Sequence, residues 1–278
     1  MTDGMHESFW AALIAFPFLQ RALLAGWLAS IGCGAIGSFV VVKRIGFLAG
    51  GIAHAVLGGM GIALYLGFDP MAGALLAAVF SALLVGWVTL AWREYEDTLI
   101  SAIWAVGMAV GVLFIALTPG YDKDLMSYLF GNVLLVGKQD LLLMAGLDVL
   151  LVAIVALWYR QFVAVAFDER FAAQRGLRVK LVYLSLLVLV AMTVVLLIQV
   201  VGLILVIALL TLPSAMAAHY IRRLGGMILL AMLIGMALAS IGLLVSFQQD
   251  WPGGATIIIV TGIAYLLSTL WHAWRQHR

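Results

Sequence analysis

The polar side chains inside long apolar stretches are the first candidates for chemistry in this sequence. His54 stands in such a stretch and shares one helical face with Gly46, Gly50 and Gly58. A polar group within an apolar helix is costly unless it is paired or lines a water-filled path. An imidazole on a face kept clear by glycines is predicted to contact a divalent metal on a permeation path. The alternative is a histidine hydrogen-bonded to a carbonyl of a neighbouring helix.

The other candidates have simpler interpretations. Asp148 lies about two turns into an apolar stretch, which suits a carboxylate near the outer interface or one paired with a hydroxyl. Cys33, the single cysteine, is predicted to be a small packing residue. His219, beside Arg222 and Arg223, is predicted to be interfacial. The histidines near the chain ends are predicted to be solvated; they are His6, His272 and His277.

An enzyme would need titratable groups that converge. The sequence shows no paired carboxylates within an acid–base pattern, no Ser/His/Asp set and no His or Cys cluster with metal-ligand spacing. It also lacks the phosphate-binding pattern GxxxxGK[ST]. The chain is therefore predicted not to be an enzyme, and any ATP that it uses is expected to bind to another chain.

The elements that position these residues follow from composition. The 278 residues are 65% apolar and only 10% charged, more apolar than a soluble domain could cover with a hydrated surface. Stretches of about 18 or more apolar residues follow one another nearly end to end, as helices that cross a hydrocarbon layer require. Continuous apolar runs differ from the alternation of a β-barrel. The sequence predicts an all-α polytopic membrane protein, with a single transmembrane domain over residues 1–278.

Charges, prolines and turn residues divide the chain into nine apolar segments. They cover residues 18–42, 45–67, 70–92, 98–118, 139–159, 179–199, 201–221, 226–247 and 254–274. The stretch 118–138 is predicted to be an outer loop with a short helix, because its apolar part, residues 125–136, is too short to span. An interfacial helix at 10–20 or a re-entrant hairpin around 200–202 would reduce the count from nine spans to eight.

Basic residues in short loops predict which side of the membrane each loop faces, because they are retained on the cytoplasmic side. With the N-terminus outside and the C-terminus in the cytoplasm, twelve of the fifteen basic residues lie inside. The twelve are Lys43, Arg44, Arg93, Arg160, Arg170, Arg175, Arg178, Lys180, Arg222, Arg223, Arg275 and Arg278. These few, scattered cations do not form a patch for nucleic acid, which is not expected to be a partner.

The largest inner loop, residues 161–180, has the pattern of a short capped helix. Asp168 and Glu169 stand near its start, Arg175 near its end and Gly176 after it, which suits the helix dipole and a glycine stop.

Three apolar side chains of the same loop, Phe167, Phe171 and Leu177, would be exposed to the cytoplasm unless another protein covered them. The loop is therefore predicted to be a docking site. The alternative is an amphipathic helix lying on the inner leaflet.

Several stretches together resemble the permease subunits of the zinc, manganese and iron family of ATP-binding-cassette importers. The matching stretches are GSFVVVKRIGFL at 37–48, IAHAV at 52–56 with Gly58, LMSYLFGN at 125–132, the loop 167–177, and 202–206 through Leu212 and Pro213. They occur in the family's order across most of the chain, and together they are specific.

The resemblance implies a fold similar to the vitamin B12-type importer permease, with two copies of the permease around one central pathway. It implies that a cytoplasmic ATPase docks on the coupling loop, with Phe167, Asp168, Glu169, Phe171, Gly176 and Leu177 as docking residues. It places a gate in the short outer helix, at Leu125, Tyr128, Leu129 and Asn132. An extracytoplasmic binding protein would deliver the metal to a chain embedded in the lipid of a bacterial cytoplasmic (inner) membrane.

One position departs from the family pattern. Many family members carry an aspartate one helical turn before the histidine that matches His54, and this chain has Gly50 there. Without the carboxylate, the transported metal is expected to be zinc rather than manganese or iron. The chain itself is expected to hold no resident cofactor. The main alternative function is an ion-coupled secondary metal carrier, which usually buries several carboxylates, and an intramembrane enzyme is a more distant third.

Overall fold

The computed structural model describes residues 13–91, 96–119, 131 and 136–276, and this part of the chain contains helices and no strands. Eleven helices have defined bounds. They are α1 (Pro17–Lys43), α2 (Gly46–Tyr65), α3 (Pro70–Ala91), α4 (Glu96–Leu117), α5 (Lys138–Leu157), α6 (Tyr159–Phe167), α7 (Glu169–Gln174), α8 (Val179–Val201), α9 (Leu203–Tyr220), α10 (Leu224–Gln249) and α11 (Gly253–Gln276).

The nine long helices coincide with the nine predicted apolar segments to within a few residues. Over the described residues, eight of them are long and apolar enough to cross a membrane, and α8 has 23 residues. A helix rises about 1.5 Å per residue, so about 20 residues match a hydrocarbon layer of about 30 Å. The prediction of an all-α polytopic membrane protein is confirmed. The short helices α6 and α7 lie in the predicted inner loop.

The junction of α8 and α9 is a single glycine. Gly202 has φ 84° and ψ 156°, a region that is open essentially only to glycine. The two helices on either side have 23 and 18 residues. The segment around residues 200–202, considered from sequence as a re-entrant hairpin, is therefore a sharp break between two long helices.

The contacts of α1 show its direction relative to α9. Cys33 Sγ lies 3.9 Å from the carbonyl oxygen of Val206, and Gly37 lies against the carbonyl oxygen of Leu210. From the first contact to the second, the residue number rises by four on both helices, so α1 and α9 run in the same direction. Lys43 and His219, near the ends of these helices, therefore lie at the same end of the bundle, which we call the basic end.

The inner-loop helices are anchored on the core of the bundle. Phe162 of α6 is fully buried and its ring meets the ring of Phe39 of α1 edge-on, with centroids 5.8 Å apart. Val165 and Ala166 of α6 and Ala172 of α7 are also buried. Because α6 is fixed to α1 by this aromatic contact, the segment that follows it is held at the basic end.

Candidate functional site

Glycines bring the backbones of α2 and α4 into direct contact around the candidate metal ligand. A Cβ at Gly58 would lie 2.8 Å from the carbonyl oxygen of Gly107, and one at Gly61 would lie 2.6 Å from that of Gly111. Such approach needs small residues on both helices, as is common where helices associate in lipid. The residue numbers rise along both helices from the first contact to the second, so α2 and α4 run parallel to each other.

His54 is buried in this α2–α4 interface, with an exposed fraction of 7%. Its imidazole stacks on the indole of Trp104 of α4, with ring centroids 4.3 Å apart and planes 16° from parallel. Its Nδ1 is buried and has no hydrogen-bond partner among the described residues. The alternative of a histidine hydrogen-bonded to a neighbouring carbonyl is therefore not seen at Nδ1 in the described part of the chain.

The face of α2 that carries His54 is covered by Trp104. The Trp104 ring also meets Phe47, with centroids 5.8 Å apart, and a Cβ at Gly50 would lie 3.6 Å from Trp104 Cζ3. That distance is ordinary van der Waals contact, so a Cβ at position 50 would meet the indole without a clash. The described residues contain no group of three or more His, Cys, Asp or Glu arranged to hold a metal ion. Within the described residues, His54 is therefore not part of a multi-residue metal site.

Asp148 is a second buried titratable group. It is 5% exposed, and its Oδ2 has no hydrogen-bond partner in the described part of the chain. The carboxylate packs against α1, where a Cβ at Gly32 would lie 2.5 Å from Asp148 Oδ1. The side chain is therefore neither at an exposed interface nor paired with a hydroxyl at Oδ2. It fills the space that Gly32 leaves open.

Gly32→Ala is expected to lower the free energy of unfolding by about 1–3 kcal/mol, because the added methyl would overlap Asp148 Oδ1. The measurement is a fluorescence-monitored thermal melt in detergent. Gly146→Ala on α5 is the matched control, since a Cβ there meets nothing within 4 Å. The double change Gly32→Ala with Asp148→Ala is expected to recover part of the loss. Equal melting temperatures for the two single glycine variants would contradict the packing contact.

Two histidines at the basic end are paired across helices, which the sequence did not reveal. The rings of His219 of α9 and His272 of α11 stack with centroids 4.9 Å apart and planes 6° from parallel. His219 Nδ1 also lies 3.4 Å from Ser268 Oγ. Both side chains are half-buried. The prediction of a solvated His272 was therefore wrong, because α11 packs on α9 and holds the ring against its partner.

The predicted capped helix of the inner loop is α7. The Asp168 side chain caps its start, with Oδ1 accepting a hydrogen bond of 2.9 Å from the backbone N–H of Phe171. At its end the backbone N–H of Gly176 donates to Ala173 O at 2.9 Å, and that of Leu177 donates to Ala172 O at 3.1 Å. This paired arrangement needs a left-handed residue, and Gly176 supplies it with φ 77°.

The exposed apolar part of this loop is smaller than predicted. The side chains of Phe167 and Phe171 are 61% and 48% exposed, and the guanidinium of Arg175 lies over the Phe171 ring at 5.1 Å. Leu177 is instead half-buried and packs against the core, because the turn at Gly176 directs the chain back to the bundle. The expectation that Leu177 would be exposed was therefore wrong. We call residues 167–171 the docking surface, after the role predicted for this loop from sequence.

The docking surface is joined to the end of α1 by an ion pair. Lys43 Nζ contacts Glu169 Oε1, with side chains 12% and 31% exposed. Both residues line a shallow polar groove of about 350 Å³ that continues along residues 165–170. Sequence reasoning placed Glu169 at this surface but gave Lys43 no role beyond its charge. The pair joins residues 126 positions apart, so no local pattern could indicate it.

The four predicted outer-gate residues lie outside the described part of the chain; they are Leu125, Tyr128, Leu129 and Asn132. Nearby, Arg21 Nη1 of α1 donates to Val136 O at 3.3 Å, which holds the start of α5 beside the start of α1. Trp104 is the functional candidate that the sequence missed. The only sequence signal for it would have been an aromatic residue between small residues on α4, a pattern too common to be informative.

Comparison with known proteins agrees with this arrangement. The chain is 41% identical over 260 residues to a probable metal transport system membrane protein of Chlamydia muridarum. The alignment covers 91% of this chain and 89% of that protein. It is 34% identical over 260 residues to the manganese transport system membrane protein MntC of Halalkalibacterium halodurans, with 94% and 89% covered. The solved structure of PsaBC from Streptococcus pneumoniae in complex with Fab matches with a TM-score of 0.85 at 28% identity, covering 95% of each chain. The model of the ABC 3 transport family matches residues 15–272, and the chain belongs to that family.

Proposed function

We propose that this chain is the membrane-spanning permease subunit of an ATP-driven importer for a divalent transition metal. Membership of an ABC transport family and relatives described as metal transport membrane proteins support this function. The observation that supports the proposal is the docking surface, where Phe167 at the end of α6 and Phe171 on the capped helix α7 are both exposed at the basic end of a membrane bundle. The chain supplies the path and the docking surface, and a partner supplies ATP hydrolysis.

The partners follow from this division of labour. A cytoplasmic cassette ATPase would cover Phe167 and Phe171, since exposed aromatic side chains are typical anchors of an interface. An extracytoplasmic binding protein would present the metal at the opposite end. A second copy of the chain would complete the pathway, and the bacterial cytoplasmic membrane would hold the assembly with the basic end inside, as the loop charges predict.

We further propose that zinc is preferred over manganese and iron. Among the described residues, the candidate ligand at the α2–α4 interface is an imidazole, and position 50 beside it is a glycine and not a carboxylate. Imidazole binds zinc better than manganese, whereas a carboxylate would favour the harder ion. Manganese is the second candidate, because several relatives are named manganese transport proteins.

Uptake into vesicles that contain the chain with its ATPase and binding protein tests both levels of the proposal. ATP-dependent uptake of radioactive zinc is expected, with unlabelled zinc competing better than manganese or iron. Gly50→Asp is expected to shift the competition toward manganese, because a Cβ at position 50 meets Trp104 without a clash and the carboxylate would lie one turn from His54.

Two outcomes would contradict these statements separately. ATP-independent uptake driven by a proton gradient would contradict the ATP-driven importer and indicate an ion-coupled carrier. ATP-dependent uptake in which manganese competes better than zinc would retain the importer and reverse the metal preference. Vesicles without the ATPase are the control for passive leak.

A further inference from the structure

The Lys43–Glu169 ion pair lies where three elements of the basic end meet. Lys43 is the last residue of α1, and Glu169 is the first residue of α7, the helix of the docking surface. The ammonium group of Lys43 also stands 5.5 Å from the ring centroid of Tyr183 on α8. One cation thus joins α1, α7 and α8. With Lys43 only 12% exposed, the pair is better shielded from water than an ordinary surface salt bridge.

The chain turns sharply directly after Lys43. Arg44 adopts the left-handed conformation with φ 59°, and its backbone N–H donates to carbonyls of the last turn of α1. The N–H of Ile45 donates to Val40 O at 3.0 Å, and the Ile45 side chain is 7% exposed. Since both residues of this corner are hydrogen-bonded to the end of α1 and the Ile45 side chain is buried, a displacement of the end of α1 is expected to reach the start of α2.

Helix α2 leads from this corner to the candidate metal contact. His54 lies eight residues after Gly46, about 12 Å along the helix axis. Helix α4 follows α2 because their backbones touch at the glycine contacts, and Trp104 of α4 covers His54. A continuous set of contacts therefore runs from the docking surface to the imidazole and its cover.

We propose that the Lys43–Glu169 ion pair transmits movement of the docking helix α7 to the corner between α1 and α2, and so to the helix that carries His54. Lys43 and Glu169 are then positioning residues, since they touch neither ATP nor metal. The inference rests on the proposed function, in which an ATPase moves the docking surface. Helix α6 packs against α1 and positions the docking helix α7. The ion pair then transmits movement of α7 to the start of α2.

The test separates ATP hydrolysis from metal transport in the reconstituted complex of the full chain, its ATPase and its binding protein. Lys43→Met is expected to leave complex assembly intact and to lower the metal transported per ATP hydrolysed by at least about fivefold, the lower range of coupling between sites. The double variant K43E/E169K is expected to recover most of that ratio, because the ion pair is restored with reversed polarity. Arg222→Gln, which removes an exposed cation at the same end, is expected to match the wild type.

The outcomes are distinguishable. An unchanged ratio in Lys43→Met would overturn the inference while leaving the importer in place. Failure of that variant to fold or to bind the ATPase, or a charge-swapped chain no better than Lys43→Met, would also overturn it and make the pair an assembly contact. Absence of ATP-driven uptake by the wild-type complex would overturn the proposed function, and the inference with it.

Discussion

Replacing Phe167 and Phe171 by aspartate is expected to abolish ATP-driven metal uptake. The two rings are the exposed apolar side chains of the docking surface, and burying them against an ATPase would supply much of the association energy. Loss of an aromatic anchor costs an interface about 2 kcal/mol or more, so the pair together should weaken ATPase binding by at least about a hundredfold. Binding of purified chain to ATPase in detergent measures this directly, beside uptake in vesicles.

The matched control is Phe68→Asp. Phe68 is 68% exposed but follows α2, and is thus at the opposite end of the bundle from Lys43. This variant is expected to bind the ATPase as the wild type does, which separates loss of the docking surface from a general effect of an added charge. The yield of monodisperse protein checks insertion of each variant. Normal uptake by the double aspartate variant would exclude residues 167–171 as the docking surface.

The second large effect is expected from His54→Ala, which should lower metal flux per folded molecule at least about tenfold. Even the groups that orient a metal ligand change affinity by about 10–100-fold when removed, and loss of the ligand itself should cost no less. The imidazole is the candidate ligand on the face of α2 that otherwise presents glycines, and the Trp104 ring of α4 covers it. Initial rates of zinc uptake, divided by the amount of folded chain in the vesicles, give the measurement.

His219→Ala serves as the control for removing a histidine from the bundle. Its ring stacks on His272 away from the α2–α4 interface, so flux is expected to stay close to that of the wild type. If His54→Ala transports as much metal per molecule as the wild type, His54 is a packing partner of Trp104 and the metal passes elsewhere.

Much of the fold could be predicted because its physical causes are local in sequence. Helices of about 20 apolar residues follow from the thickness of the hydrocarbon layer, and the bounds of α1 to α5 and α8 to α11 agree with the apolar segments. The capped helix α7 was equally accessible, since Asp168 and Gly176 act on backbone groups only a few residues away. His54 was found as a candidate for a similar reason, because a lone imidazole in an apolar run is conspicuous.

The tertiary structure decided what these residues touch. Lipid offers no hydrophobic preference for one helix face over another, so partners are chosen by close fit at small residues and by occasional polar contacts. Trp104 meets His54 because Gly58 and Gly61 fit against Gly107 and Gly111.

The other long-range contacts have the same origin. Glu169 reaches Lys43 because Phe162 fixes α6 to α1, and Leu177 turns inward because the left-handed Gly176 redirects the chain. The sequence by itself thus determined the helices, their caps and the residue types able to bind metal or a partner. Only the packing of distant helices decided which of those residues meet, because that fit depends on shapes brought together from positions far apart in the chain.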